Sequence, residues 1–193
     1  MGLELIKKIR EITGAGMVDI KKAIDEAGGD EEKAIEILRK SGQGKALKKA
    51  DRETREGIVA SYVHSNQKMA SMVKLYCETD FVARNEEFQE LANDIAMHVG
   101  AMSPKFLSPE EVSEELVAKE REIWTEQMKE ENKPQDIMDK IMEGKEKKFR
   151  EESALLTQSF VKNPDITIQD LVNEKIGKIG EKIQIGEFAR FEI

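Results

Sequence analysis

Gly57-Ile58-Val59-Ala60-Ser61-Tyr62-Val63-His64 alternates its side chains with a period of two, setting Val59, Ser61 and Val63 against Ile58, Ala60 and Tyr62. Ser65-Asn66-Gln67-Lys68 then supplies four polar turn-forming residues. Met69-Ala70-Ser71-Met72-Val73-Lys74-Leu75-Tyr76-Cys77-Glu78 resumes the alternation, with Val73, Leu75 and Cys77 opposed to Lys74, Tyr76 and Glu78. Two β-rich runs around a short polar turn read as an antiparallel hairpin. Immediately afterwards the period changes. Phe88, Leu91, Ala92, Ile95, Ala96 and Val99 follow the 3, 4, 7, 8, 11 spacing of one helix face. A hairpin followed directly by an amphipathic helix predicts an α+β core with a small antiparallel sheet.

Upstream of the hairpin, three short helical patterns are separated by glycines. Leu5, Ile9 and Ile12 share one face before Gly14-Ala15-Gly16. Met17, Ile20, Ala23, Ile24 and Ala27 share the next before Gly28-Gly29. The third begins at Asp30, a favourable N-cap, with Glu31 and Glu32 in its first turn and Ala34, Ile37 and Leu38 inside. This predicts a compact three-helix module over residues 1–40. Residues 41–55 read as a basic linker: Ser41-Gly42-Gln43-Gly44 opens it. Across 40–55, Lys40, Lys45, Lys48, Lys49, Arg52 and Arg55 outnumber two acidic residues.

Downstream, Ser108-Pro109-Glu110-Glu111 has the pattern of a capping-box helix start. The expected helix runs to about Asn132, where Lys133-Pro134 ends it, and a second covers roughly 135–152. Residues 108–152 hold 15 acidic and 9 basic residues and few apolar ones, which reads as a solvated antiparallel helical hairpin with Trp124 as its packing anchor. A segment around Leu155–Val161, a helix over Ile168–Ile179 and a last strand through Ile183, Ile185, Ala189, Phe191 and Ile193 complete a core domain over 56–193. Gly186 falls where the strand's phase changes, as a bulge would.

Composition narrows the function. The 193 residues are 36% charged and 39% hydrophobic, with a formal net charge of −8. Residues 1–55 carry a net +2 and residues 56–193 a net −10, which argues against a general phosphate-backbone binder, with no aromatics interleaved in the basic stretch. No stretch approaches the roughly 20 apolar residues of a membrane span. The N-terminus lacks the apolar run and cleavage site of a signal peptide. A lone cysteine, Cys77, allows no intrachain disulfide, and a cytoplasmic protein is expected. His64, His98 and Cys77 are too few for a zinc site. Gly14-Ala15-Gly16 and Gly42-Gln43-Gly44-Lys45 lack the further glycine, and the latter the following Ser or Thr, of nucleotide loops. No nucleophile–base set marks an enzyme.

One stretch stands apart. Glu78-Thr79-Asp80-Phe81-Val82-Ala83-Arg84-Asn85 joins the second strand to the strong helix, with an anionic side chain beside an aromatic one. Such junctions commonly present functional groups. The residues alone favour a plainer reading, in which Thr79 or Asp80 caps the helix and Phe81 shares a buried face with Phe88, seven residues on.

Cys77-Glu78-Thr79-Asp80-Phe81-Val82-Ala83-Arg84 nevertheless resembles the signature of the bacterial elongation factor Ts family. Similar to family segments are also Leu5-Ile6-Lys7-Lys8-Ile9-Arg10-Glu11-Ile12-Thr13-Gly14-Ala15-Gly16-Met17, Asp19-Ile20-Lys21-Lys22-Ala23, Gly28-Gly29-Asp30, Leu156-Thr157-Gln158-Ser159-Phe160-Val161 and Phe188-Ala189-Arg190-Phe191-Glu192. Several motifs in order along the whole chain make the resemblance specific.

The resemblance implies a ubiquitin-associated (UBA-like) N-terminal module followed by an α+β core. It implies a guanine-nucleotide exchange factor that engages elongation factor Tu in its GDP-bound and nucleotide-free forms. Thr79, Asp80, Phe81 and Val82 map onto the segment that dislodges the partner's magnesium. Ile12, Gly14, Ala15, Gly16 and Met17 map onto the contact loop of the N-terminal module. No cofactor, no metal of its own, no membrane, no direct nucleic-acid contact and no covalent catalysis are expected. Longer members resemble a core of two related subdomains, so this single-core chain is expected to pair as a homodimer. The competing expectation is a non-catalytic adaptor, in which the UBA-like module binds proteins with no effect on nucleotide release.

Overall fold

The computed structural model describes residues 3–13, 15–128 and 135–193. The chain divides into two compact units, residues 1–100 with 169–193, and residues 101–168.

The first unit begins with three helices, α1 (Leu3–Thr13), α2 (Met17–Glu26) and α3 (Glu31–Leu47). Ile6, Ile9, Ile20, Ala23, Ile24, Ala34 and Leu38 form a small core of their own. The predicted Asp30 cap is in place, its Oδ1 accepting from the Lys33 N–H at 3.1 Å. Lys8 Nζ meets Glu31 at 2.9 Å and Lys45 Nζ meets Asp19 at 2.7 Å, tying α1 and α2 to α3. Helix α3 does not stop at Ser41. It continues through Gly42 and Gly44 to Leu47, so the first part of the expected linker is helical. Two glycines cost a helix about 1 kcal/mol each. The added turns lie beside α8 (Ile168–Ile179). There a side chain on Gly42 would stand only 3.6 Å from the Asn173 carbonyl oxygen, and Gln43 donates to Asp170 at 3.2 Å.

Strands β1 (Glu56–Val63), β2 (Met69–Cys77) and β5 (Gln184–Glu192) form one antiparallel sheet in the order β1-β2-β5. β1 and β2 are in register from Glu56↔Cys77 to Val63↔Ala70, around the expected turn, where Gln67 takes a positive φ of 58°. The register of β2 and β5 slips between Val73↔Phe188 and Leu75↔Ile185, which places the extra residue of a bulge at Gly186-Glu187, as the sequence pattern anticipates. The inner sheet face, with Val73, Leu75 and Ile185, is buried. So is the face of α5 (Glu86–Met102) predicted from its spacing: Phe88, Leu91, Ala92, Ile95, Ala96 and Val99 are all at most 1% exposed. Each large apolar residue buried this way stabilises the fold by about 1.5–3 kcal/mol. Ser71, also buried, donates its hydroxyl to the Ala96 carbonyl at 2.5 Å.

In the second unit, the helix expected from Ser108 starts later. Pro109–Glu111 forms a single 3-10 turn, and Glu111 accepts from the Leu107 N–H at 3.0 Å. Val112 then takes an extended conformation and is buried. Ser113 is the residue that caps α6 (Glu114–Met128), its hydroxyl accepting from the Leu116 N–H at 3.3 Å. Burying Val112 outweighs the favourable cap at Ser108. The expected stop at Lys133-Pro134 lies outside the described residues. Helix α7 (Gln135–Ser153) pairs antiparallel with α6. Arg150 joins Glu114 at 2.7 Å, Glu146 at 3.0 Å and the Val112 carbonyl at 2.7 Å, and Trp124 meets Phe149 edge-on at 5.8 Å. The helical hairpin and its Trp124 anchor are therefore present. A short pair of strands the pattern does not reveal, β3 (Ser159–Phe160) and β4 (Asn163–Thr167), follows.

Candidate functional site

The junction after β2 is a one-turn helix, α4 (Asp80–Ala83), followed by a break and then α5. Thr79 is its N-cap, with the hydroxyl accepting from the Val82 N–H at 3.4 Å. Arg84 closes α4, and Asn85 caps α5, its Oδ1 accepting from the Glu87 N–H at 2.8 Å. This second cap resets the helical phase between Phe81 and Phe88. Phe88 is fully buried, whereas Phe81 is 81% exposed. The plainer expectation, that Phe81 shares the buried face of Phe88, is corrected on that point. The expectation of a Thr79 cap holds.

An exposed Phe forgoes the stabilisation of burial, so the rest of the turn must be held by other means. Ala83 and Cys77 are buried beneath it, and burial pushes the Cys77 thiol up to about 11, keeping it neutral. The Glu181 carboxylate reaches in from the loop after α8. One oxygen accepts from the N–H groups of Glu78 and Thr79, both at 3.1 Å, and the other from the Thr79 hydroxyl at 2.7 Å. Glu78 answers in the opposite direction, its carboxylate accepting from the Lys182 N–H at 2.6 Å and from Arg52 at 3.2 Å. These two contacts hold its carboxyl below the ordinary glutamate value, the Lys182 hydrogen bond contributing most. The Lys182 ammonium donates to the carbonyls of Ala50 and Arg52 at 2.7 and 2.9 Å. Three chain segments, around residues 50–52, 78–79 and 181–182, are thus interlocked under the turn. Asp80 stands on it with its carboxylate ion-paired to Arg84 at 3.2 Å, and Val82 is half-buried.

The second candidate surface is the turn between α1 and α2. Ile12 and Met17 are exposed, as is their neighbour Val18, and Gly16 lies in solvent beside a half-buried Ala15. Gly14 lies outside the described residues. Thr13 underpins the turn, its hydroxyl donating to the Ile9 carbonyl at 2.7 Å and accepting from the Ala15 N–H at 3.3 Å.

Glu181, Lys182 and Arg52 carry no local signal of their part. Glu181 meets residues 102 and 103 positions away, a separation no periodicity encodes. The basic stretch is largely spoken for: Lys40, Lys45, Arg52 and Arg55 pair with Glu36, Asp19, Glu78 and Glu53. Among the described residues, no cluster of three His, Cys, Asp or Glu side chains is placed to hold a metal ion, and no helix is long and apolar enough to cross a membrane.

The structure thus leaves one aromatic side chain exposed on a turn held by a polar network, and further apolar side chains exposed at the turn between α1 and α2. Comparison with known proteins specifies the family. The model of the family described as Elongation factor TS matches residues 21–193. Elongation factor Ts of Thermosipho melanesiensis is 54% identical over 190 residues, covering 98% of this chain and 97% of the relative. The elongation factor Ts proteins of Fervidobacterium nodosum and Carboxydothermus hydrogenoformans are 51% and 50% identical, each over 98% of this chain and over 96% and 88% of the relatives. The chain belongs to the elongation factor Ts family, and its role is that of a translation elongation factor.

Proposed function

We propose that this chain is a guanine-nucleotide exchange factor for elongation factor Tu, the GTPase that carries aminoacyl-tRNA, and that Phe81 is its wedge. The observation that carries the reading is the 81% exposure of Phe81 on a turn clamped from below.

Exchange requires the factor to bind the nucleotide-free partner more tightly than the GDP-bound one, and linkage makes GDP weaken the factor by the same ratio. A ten-thousand-fold ratio corresponds to about 5.5 kcal/mol of differential binding. Phe81 enters the partner only where side chains beside its magnesium-binding loop move apart. Burying the ring there stabilises the opened form by about 1.5–3 kcal/mol. Thr79 and Val82 hold the turn's shape, and Asp80 brings negative charge toward the phosphates. Once the partner's magnesium is displaced, the diphosphate has lost its main counter-charge. The 1–40 module, through Ile12 to Met17, supplies anchorage and raises the effective concentration of the wedge. No covalent bond is made or broken, so the action is not enzymatic.

The same reading places a second copy of the chain on the sheet. Val59 and Val63 of β1, Met72 of β2 and Phe191 of β5 are all exposed. These exposed apolar side chains, on a face that also carries the Lys74–Glu187 ion pair, support symmetric pairing as a homodimer.

The test is release of a fluorescent GDP from elongation factor Tu. The chain is expected to accelerate release, and Phe81→Ala to remove about ten- to a hundred-fold of the acceleration at saturation, the equivalent of burying one Phe. Unchanged release with wild-type chain would leave the adaptor reading in its place.

A further inference from the structure

We infer that Glu181 is a positioning residue of the exchange site, acting on the partner only through the turn that presents Asp80 and Phe81. The inference rests on the wedge reading above and adds the group that sets the wedge's geometry. Helix α4 has four residues, too few to persist alone, because the first helical turn is the unfavourable one to form. Its own backbone bonds, Ala83 N–H to Thr79 and Arg84 N–H to Asp80, are both 3.2 Å long. Glu181 provides what the turn lacks. One of its oxygens collects the two N–H groups at the entry to the turn. The other accepts a hydrogen bond from the Thr79 hydroxyl at 2.7 Å, which leaves that hydroxyl's lone pairs facing the Val82 N–H. The orientation of the cap, and with it the direction of Asp80 and Phe81 between Thr79 and Val82, follows from a carboxylate at position 181.

Glu181 is itself fixed from both sides. Helix α8 ends at Ile179, and Gly180 takes a left-handed φ of 88° that only glycine adopts without strain, returning the chain toward β2. On the other side Lys182 is pinned by its N–H to Glu78 and by its ammonium to two carbonyls. Gly180 thus lets the chain turn back toward the site, and the Lys182 contacts hold it there. Hydrogen bonds to a charged acceptor are also the stronger kind.

Glutamine at 181 keeps the shape but offers one acceptor oxygen and an NH2 group in place of two acceptors. The NH2 group then competes with Val82 for the Thr79 oxygen or opposes the two N–H groups. In the GDP-release assay, Glu181→Gln is expected to lower the maximal rate about tenfold, with the half-saturating concentration unchanged. In a Phe81→Ala background the same substitution is expected to do far less, because the wedge is gone and only Asp80 is left for the turn to direct. Thr79→Val should reproduce the loss and Thr79→Ser should restore the rate. Amide hydrogen exchange at Glu78 and Thr79 in the free protein should accelerate in Glu181→Gln, which reads the clamp without the partner. The inference is overturned if Glu181→Gln leaves the maximal rate intact, or if it slows exchange equally with and without Phe81, as general loosening would. If Phe81→Ala itself leaves exchange unchanged, the wedge reading falls and this inference with it. Slow exchange in Phe81→Ala beside normal exchange in Glu181→Gln removes the inference alone.

Discussion

The turn after β2 and the turn between α1 and α2 both leave apolar side chains in solvent, but they are built differently. Thr13 secures the N-terminal turn with bonds to Ile9 and Ala15, all within a few residues. The turn under Phe81 is secured by Glu181, with Arg52 and Lys182 gripping the adjoining Glu78, from segments far away in the chain. Under the proposed function, a locally held turn free to adjust suits anchorage, and a turn fixed by a polar network suits a wedge. The difference lies in where the hydrogen bonds go rather than in which apolar residue is displayed.

The largest effect that tests this contrast lies between two phenylalanines seven residues apart. Phe88→Ala should cost about 3–5 kcal/mol of stability, since the ring is wholly buried. Phe81→Ala should change stability by no more than about 0.5 kcal/mol, while carrying the exchange defect described above. Urea unfolding of the two variants reads the first part. A large destabilisation by Phe81→Ala would mean that the ring supports the fold, and the wedge would lose its rigid base.

The same pair shows what the sequence reveals. The α5 stripe was legible because one uninterrupted 3.6-residue period runs from Phe88 to Val99. Phe81 was not legible from periodicity because the phase restarts at Asn85, and a cap that short leaves no composition signal. The family resemblance singles out that residue where the physical pattern points to the core, and the structure shows it exposed. Helix α3 past Ser41 is hidden because glycine content argues against helix, and its neighbours Asp170 and Asn173 lie on α8, far along the chain. Ser108 misled because a favourable cap was outweighed by the burial of Val112, a tertiary effect. Glu181 is the extreme case, an ordinary loop glutamate whose role exists only once β2 and α8 are in place.

A smaller effect is expected at the N-terminal turn. Ile12→Ala and Met17→Ala should each raise the half-saturating concentration in the exchange assay by less than about fivefold, since most interface truncations cost under about 1 kcal/mol. Their maximal rates should stay at the wild-type value. A fall in maximal rate for either would erase the division between anchor and wedge.

The smallest effects concern two glutamates with opposite surroundings. Glu78, under the wedge, has its carboxyl held below the ordinary 4.5 by the Lys182 N–H and then by Arg52. Its folded-state value is depressed, so its stabilisation is present above 4.5 and is lost as pH falls through the lower value. Glu174 on α8 is raised above 4.5 by burial, only partly opposed by Lys175, Lys178 and Arg39. Its contribution is complete below 4.5 and is lost as pH rises through the higher value, so at neutral pH its charge is a net cost. Glu78→Gln should therefore lower the melting temperature at pH 7, and Glu174→Gln should raise it. Both differences should shrink as the pH falls to about 4, where the wild-type carboxyls begin to match the amide. Melting curves of the two variants against wild type at both pH values read the sign directly. If both variants were destabilised at pH 7, Glu174 would be making a specific favourable contact. If both were stabilised, the network beneath Phe81 would be strained rather than supportive, and the rigidity assigned to that turn would have to come from packing on Ala83 and Cys77 alone.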